Sequence, residues 1–145
     1  MYIKDMMTTR IVTVEMDDTL GEIKEIFDNV SFHHVMVVED QGQLVGMISD
    51  RDMRQSLSPK LGTAAELQRD RDTLTQRAHQ VMTRNLITLS AEDQVFDAIH
   101  HFTQHKISAL PVIDTTGNPI GIVSWRDILK IIVDNKSRDA FNAWI

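Results

Sequence analysis

Between residues 11 and 56 the spacing of apolar side chains changes from strand-like to helical and back. Ile11-Val12-Thr13-Val14 is a β-branched run that predicts a short strand. Asp17-Asp18-Thr19 follows with N-cap residues, and Glu22, three beyond Thr19, completes a capping-box pattern. Leu20, Ile23, Ile26, Phe27 and Val30 then recur at helical spacing, which predicts a helix with one stripe facing a core. Val35-Met36-Val37-Val38 predicts a buried strand. Asp40-Gln41-Gly42 predicts a turn with Gly42 at positive φ, and Leu44 to Ile48 the returning hairpin strand. A second helix is expected from Ser49 onward.

The same order returns 75 residues later. Residues 7–53 align with 82–128 without a gap. Met7-Thr8 meets Met82-Thr83, Asp18 meets Asp93 and Phe27 meets Phe102. Gly42 meets Gly117, Gly46 meets Gly121, and Ser49, Arg51 and Asp52 meet Ser124, Arg126 and Asp127. Glycines, apolar runs and a polar triplet kept in one register indicate an internal duplication. The second copy is expected as strand 86–89, helix 93–104, strand 109–114, a turn at Gly117, strand 120–124 and a helix from 125. The fold class is therefore α/β, more narrowly α+β, with the order β-α-β-β-α read twice. One copy of roughly 50 residues buries too little apolar surface for comfortable stability, so two copies sharing a core are expected. Packed about a pseudo-twofold axis, they would form paired clefts between them.

The segment between the copies has another composition. Ser58-Pro59-Lys60-Leu61-Gly62 is a breaker cluster, and Ala64 to Arg77 is charged and helix-permissive, with Leu67 and Leu74 one heptad apart. The expected organisation is repeat 1 over 1–56, a linker with a surface helix over 57–80, repeat 2 over 81–134 and a tail over 135–145. Phe141 and Trp144 in the tail suggest docking on a neighbouring surface, with fraying the alternative.

Composition narrows the function classes. The absence of cysteine removes disulfides, thiolate nucleophiles and cysteine-based zinc sites, and a net charge of −6 argues against nucleic acid and anionic membranes as partners. No apolar run approaches the ~20 residues of a membrane span, and the first residues lack a signal-peptide pattern, so a cytoplasmic protein is expected. His101 and His105 share a helix face with His100 adjacent. Without a His-Glu-x-x-His pattern this reads as a solvated face, and no metal is expected.

Each copy resembles a CBS (cystathionine-β-synthase-type) motif. The resemblance rests on Met7-Thr8, Val12-Thr13-Val14, Asp18-Thr19-Leu20, Val35 to Glu39 and Gly42 to Asp52. In the second copy it rests on Leu110 to Asp114 and on Gly117 through Asp127. The whole resembles a CBS pair, or Bateman module, and the run Ser49 to Gln55 followed by Ser58-Pro59 is similar to the stand-alone acetoin-utilisation-protein branch. The resemblance implies an adenine nucleotide (AMP, ADP or ATP) or S-adenosylmethionine bound in the inter-repeat clefts, and a homodimer of pairs. It assigns phosphate contact to Ser49 and Ser124 and ribose contact to Asp52 and Asp127. It places His33 and His34, and their counterparts Ser108 and Ala109, toward phosphate or sugar, and Thr8, Ile11, Thr83 and Leu86 along the adenosine.

Each assignment has a structural alternative. Ser-x-x-Asp is also a capping box. Arg51 and Arg126 compensate phosphate charge or sit on a solvated helix face. The two histidines donate to phosphate or mark a polar strand entry. The first-strand residues bind or pack. Two departures separate the copies: Met36 stands where the second copy has Pro111, and Trp125 is a bulky residue within the second Ser-x-x-Asp segment, so the two sites are expected to differ. The leading function is a non-catalytic regulatory module that signals to a protein in trans. A ligand-free interaction module is the alternative, and a metal-assisted hydrolase trails for want of a nucleophile–base–orienter set.

Overall fold

The computed structural model describes residues 1–134 and 142–143, so Phe141 and Trp144 lie outside the described residues. The chain forms two compact units, one of residues 12–86 and one of residues 1–11 together with 87 onward.

In the first unit β1 (Thr13–Glu15), β2 (His34–Val38) and β3 (Leu44–Ser49) form a sheet in that order. β1 lies parallel to β2, with Thr13 beside Met36, and β2 lies antiparallel to β3, with His34 beside Ser49. The parallel pair requires a crossover, and α1 (Leu20–Asn29) supplies it. The predicted capping box holds: Thr19 Oγ1 accepts the Glu22 amide at 3.2 Å, and Glu22 Oε2 accepts the Thr19 amide at 3.2 Å. Gly42 takes the left-handed conformation the hairpin needs, φ 86°. α2 (Asp50–Ser56) starts directly after β3.

Three short elements follow, α3 (Gln68–Asp72), a 3₁₀ turn (Thr73–Thr75) and α4 (Ala78–Val81). The single surface helix expected over Ala64–Arg77 is thus replaced. Its side chains compete with the helical ladder. The Asp70 carboxylate, only 5% exposed, accepts the Leu67 amide and the Ser58 hydroxyl, both at 2.7 Å, and Thr73 Oγ1 donates to the Asp70 carbonyl at 2.6 Å. Leu67 is exposed and forms no heptad stripe.

The second unit repeats the plan with β4 (Leu89–Ser90), α5 (Val95–Gln104), β5 (Ala109–Ile113), β6 (Pro119–Ser124) and α6 (Trp125–Val133). Both first strands start later than the apolar runs suggest, at Thr13 rather than Ile11 and at Leu89 rather than Leu86. In the first unit Met36 donates to the Val12 carbonyl at 2.9 Å where the parallel ladder opens, and Ile11 stays outside it although β2 extends two residues further back, to His34. α5 begins at Val95, two residues after the expected start, because Asp93 instead accepts the Ser90 amide at 2.8 Å in the turn before it.

Each core contains side chains from the segment that precedes the other repeat. Ala78 and Met82 pack with Val14, Leu20, Ile23, Val35, Val37, Ile48 and Met53. Ile3, wholly buried, packs with Leu89, Val95, Ala98, Leu110, Val112, Val123 and Ile128. Ile3 and Ala78 occupy matching places 75 residues apart, so the exchange is reciprocal.

Candidate functional site

The candidate residues fall into two matching sets, one per unit. Paired residues on adjacent strands project from the same sheet face. His34 therefore shares a face with Ser49, and Ala109 with Ser124. The exchanged segment adds a threonine beside each third strand. Thr83 and Met47 exchange backbone bonds of 2.9 and 3.2 Å, and Thr8 and Ile122 exchange two of 2.9 Å. Thr8 and Thr83 thus bridge to the third strand of the unit they pack in rather than opening a first strand. Ile11 and Leu86 are half-buried and lie outside any strand.

The Ser-x-x-Asp segments are capping boxes in both units. Asp52 donates its amide to Ser49 Oγ at 3.0 Å and returns Oδ2 to the Ser49 amide at 3.3 Å. In the second unit the corresponding distances are 3.2 Å and 2.8 Å. The box engages Oδ2 of each aspartate and fixes the rotamers of both side chains, which stay half-buried at the surface. Arg51 and Arg126 are exposed on the first turns of α2 and α6. The capping alternative therefore holds for the Ser-x-x-Asp segment of both units.

The first unit adds a polar cluster that sequence reasoning missed. His33 Nδ1 stands 3.2 Å from Asp50 Oδ2, which also receives Arg54 Nη2 at 3.0 Å, and the His33 carbonyl accepts the Asp50 amide at 2.9 Å. The i,i+4 spacing of Asp50 and Arg54 was the available signal. Partial burial pushes the Asp50 carboxyl upward, but hydrogen bonds from His33 and the Arg51 amide, with the charges of His33 and Arg54, outweigh it and leave the group below its ordinary value. Burial pulls His34 below its ordinary imidazole value of 6.5, against the opposing pull of Asp50 and Asp52. The second unit has Ser108, Ala109, Trp125 and Leu129 at these four places, and the Trp125 amide donates to the Ser108 carbonyl at 3.3 Å.

That contrast gives a pH prediction. A histidine held neutral in the fold binds its proton more readily once unfolded, so stability rises with pH across the interval between its folded and unfolded pKa values. It is lost as pH falls below about 6.5, with a limiting slope of about 1.4 kcal/mol per pH unit. His34→Ala, which installs the second unit's residue, should flatten the stability profile below about pH 6.5. An unchanged slope in urea titrations across that range would assign the acid sensitivity elsewhere.

Two grooves open on the first unit. One, of about 690 Å³, is lined by Glu15, Asp17, Glu39, Asp40 and His79 among others. The other, of about 640 Å³, lies between α1 and α2 and includes Phe27, Phe32, His33, Asp50 and Arg54. Ser49 and Asp52 line neither. The rings of His101 and His105 stand 6.1 Å apart, and among the described residues no group of three or more acidic or histidine side chains is arranged to hold a metal. No helix among the described residues is long and apolar enough to cross a membrane.

Comparison with known proteins shows the family and the fold. The family model described as CBS domain matches residues 3–59 and 78–134. The CBS domain-containing protein YhcV of Bacillus subtilis is 33% identical over 135 residues, covering 93% of this chain and 88% of that protein. The crystal structure of the CBS domain of a CBS domain-containing membrane protein from Sphaerobacter thermophilus is 32% identical with a TM-score of 0.76, covering 89% of this chain and 86% of that one. The CBS domain pair of protein MJ0100, solved with 5′-methylthioadenosine and S-adenosyl-L-methionine, shares the fold at 23% identity and a TM-score of 0.75, over 91% and 95% of the two chains. So does a putative acetoin utilization protein from Vibrio cholerae, at 21% identity and 0.73, over 92% and 90%. Other relatives are much longer: the chain spans 23% of the L-aspartate semialdehyde sulfurtransferase of Methanosarcina acetivorans, to which it is 30% identical over 90% of its own length.

Proposed function

This chain belongs to the CBS domain family, with two of its repeats in tandem, and from that premise we propose that it is a non-catalytic regulatory module that binds an adenine nucleotide or related adenosyl ligand and passes the signal to a partner protein. The observation that supports the reading is the duplicated site: a threonine from the exchanged segment and a rigid Ser-x-x-Asp turn recur at matching places in both units. Duplication of core residues is explained by folding. Duplication of half-exposed polar residues around one turn is better explained by a ligand. The adenosyl ligands of the MJ0100 pair, which shares this fold, support the ligand class.

Chemically, each aspartate can accept both hydroxyls of a ribose from its rigid position, as acidic residues do in dinucleotide folds. Ser49 and Ser124 would meet the phosphate or its equivalent, with Arg51 and Arg126 balancing charge. In the first unit His34 would add a donor that gains charge on acidification.

Thermal unfolding with AMP, ADP, ATP, S-adenosylmethionine and NAD tests the proposal. A ligand at 100 times its Kd adds about 2.7 kcal/mol of stability, a rise in midpoint of several degrees. Asp52→Ala and Asp127→Ala, made separately, should each remove the binding of one unit. Absence of any shift with all five ligands would discard this reading in favour of a second, a ligand-free interaction module, which draws on the exposed apolar side chains of α6.

A further inference from the structure

Duplication provides this protein with an internal control. Both repeats solve one packing problem, so a residue type required by the fold should recur at matching places. His34 does not recur. It pairs with Ser49 across β2 and β3, and its counterpart Ala109 pairs with Ser124 across β5 and β6. The two side chains thus take equivalent places beside the serine of each unit, and the fold does not need an imidazole there. The His34 ring is half-buried yet makes no hydrogen bond to any described residue, whereas polar groups withdrawn from water are normally paired. Asp50 and Asp52 of α2 favour its protonated form, and the adjacent His33 opposes it. Of the nearby arginines, Arg51 is exposed and Arg54 is joined to Asp50 at 3.0 Å. On the exchanged segment Arg84, next to Thr83, donates to the His79 carbonyl at 3.0 Å. His34 and Asp50 are replaced together, by Ala109 and Trp125. A group that can gain charge and a carboxylate that favours the charge therefore occur as a pair in one unit and are both missing from the other.

We propose, resting on the adenosyl-ligand reading above, that His34 sorts ligands by charge: the first unit takes phosphorylated adenosine with uptake of one proton on the His34 ring, and the second takes an adenosyl ligand with an uncharged tail. The proton comes from solvent and stays on the imidazole, so no bond to the ligand forms or breaks. Burial keeps the empty ring below its ordinary value, and a phosphate beside it raises that value. Affinity is then highest at low pH and is lost as pH rises through the value of the complex, by at most about tenfold per pH unit. Ala109 and Trp125 supply no such charge in the second unit, and 5′-methylthioadenosine, held by the MJ0100 pair, is a ligand of the uncharged kind.

Calorimetry of AMP and adenosine binding to the full chain, from about pH 8 to about pH 6, tests the sorting. Asp127→Ala leaves the first unit to be read and Asp52→Ala the second. The first unit should prefer AMP, increasingly so on acidification, and the second should not. His34→Ala should weaken AMP several-fold at the acidic end and leave adenosine unchanged. The phosphate itself titrates at about pH 6, so variant and parent are compared at each pH, where ligand ionisation cancels. His34→Gln, which donates but does not titrate, should keep part of the preference without its pH dependence. Ala109→His should confer a preference for AMP on the second unit, a gain that does not depend on how well His34→Ala folds. A first unit that binds both compounds alike, a preference that survives His34→Ala, or no gain from Ala109→His would overturn the proposal and leave the adenosyl reading standing. Binding of neither compound would overturn it too, and the five-ligand unfolding series then decides the adenosyl reading separately.

Discussion

Replacing Ile3 by alanine is expected to cost about 2–5 kcal/mol of stability, the range for truncating a large buried aliphatic side chain. The site lies some 85 residues in sequence from the core it serves. Ile3 is fully buried and packs with Leu89, Val95, Leu110 and Val123. Its backbone is tied to the same unit: the Ile3 amide donates to Asp93 at 2.8 Å, the Lys4 amide to Ala91 at 3.0 Å, and Val95 donates to the Met1 carbonyl at 3.1 Å. These bonds hold the segment while the side chain is removed, so the surroundings can collapse only partly and a cavity remains. Urea denaturation of the full chain should show a lower midpoint with an unchanged slope. Met1→Ala is the comparison: Met1 is 40% exposed and its loss should change stability by less than about 0.5 kcal/mol. An Ile3→Ala protein as stable as the wild type would mean that the N-terminal segment is not part of this core.

The elements that could be read from the sequence are those governed by local chemistry. The helix start at Thr19 follows from two side chains three residues apart, and the hairpins at Gly42 and Gly117 from one conformational demand each, met at φ 86° and 87°. The Ser49 and Ser124 caps belong to the same kind. Misplaced elements depend on partners distant in sequence. Ile11 and Leu86 sit in or beside β-branched runs yet lie outside the parallel ladders, although the neighbouring strands β2 and β5 extend back to His34 and Ala109, so propensity alone did not place the strand starts. The linker helix gave way because Asp70 found a hydroxyl at Ser58 and an amide at Leu67, bonds that no helical periodicity reveals.

The site divides in the same manner. Its four Ser and Asp residues were legible because duplication marks them twice. The His33–Asp50–Arg54 cluster exists in one repeat only, so self-comparison could not find it; it shows instead as a difference, acidic and basic against Trp125 and Leu129. The exchange of segments between repeats was half visible. Met7-Thr8 aligns with Met82-Thr83, but an alignment states which residues correspond and not which unit each packs in.

Replacing Gly46 by valine should destabilise the protein by about 3 kcal/mol, the upper part of the usual range for overpacking. The strain has an identifiable source. Gly46 lies in the middle of β3, where glycine is otherwise unfavourable because it adds backbone entropy and packs nothing. Its compensation is the close approach of Met82 from the exchanged segment. A Cβ built on Gly46 would stand 2.7 Å from Met82 Cγ and 3.0 Å from its Cβ, and would also collide with the sulfur. Met82 is itself 8% exposed and packed in the core. Its stem cannot swing aside without moving α4 and, one residue on, Thr83, whose two backbone bonds to Met47 place it at the candidate site. Gly121 stands in the same relation to Met7 and to the Thr8 carbonyl, each within 3.1 Å of a built Cβ. Gly121→Val should therefore match Gly46→Val in cost, and each should weaken ligand binding in its own unit more than in the other. Met82→Ala in the Gly46→Val background removes the clashing atoms and should recover part of the loss, although Met82→Ala alone is destabilising. A Gly46→Val protein with wild-type stability, or a double variant with strictly additive losses, would show that the methionine does not press on the strand.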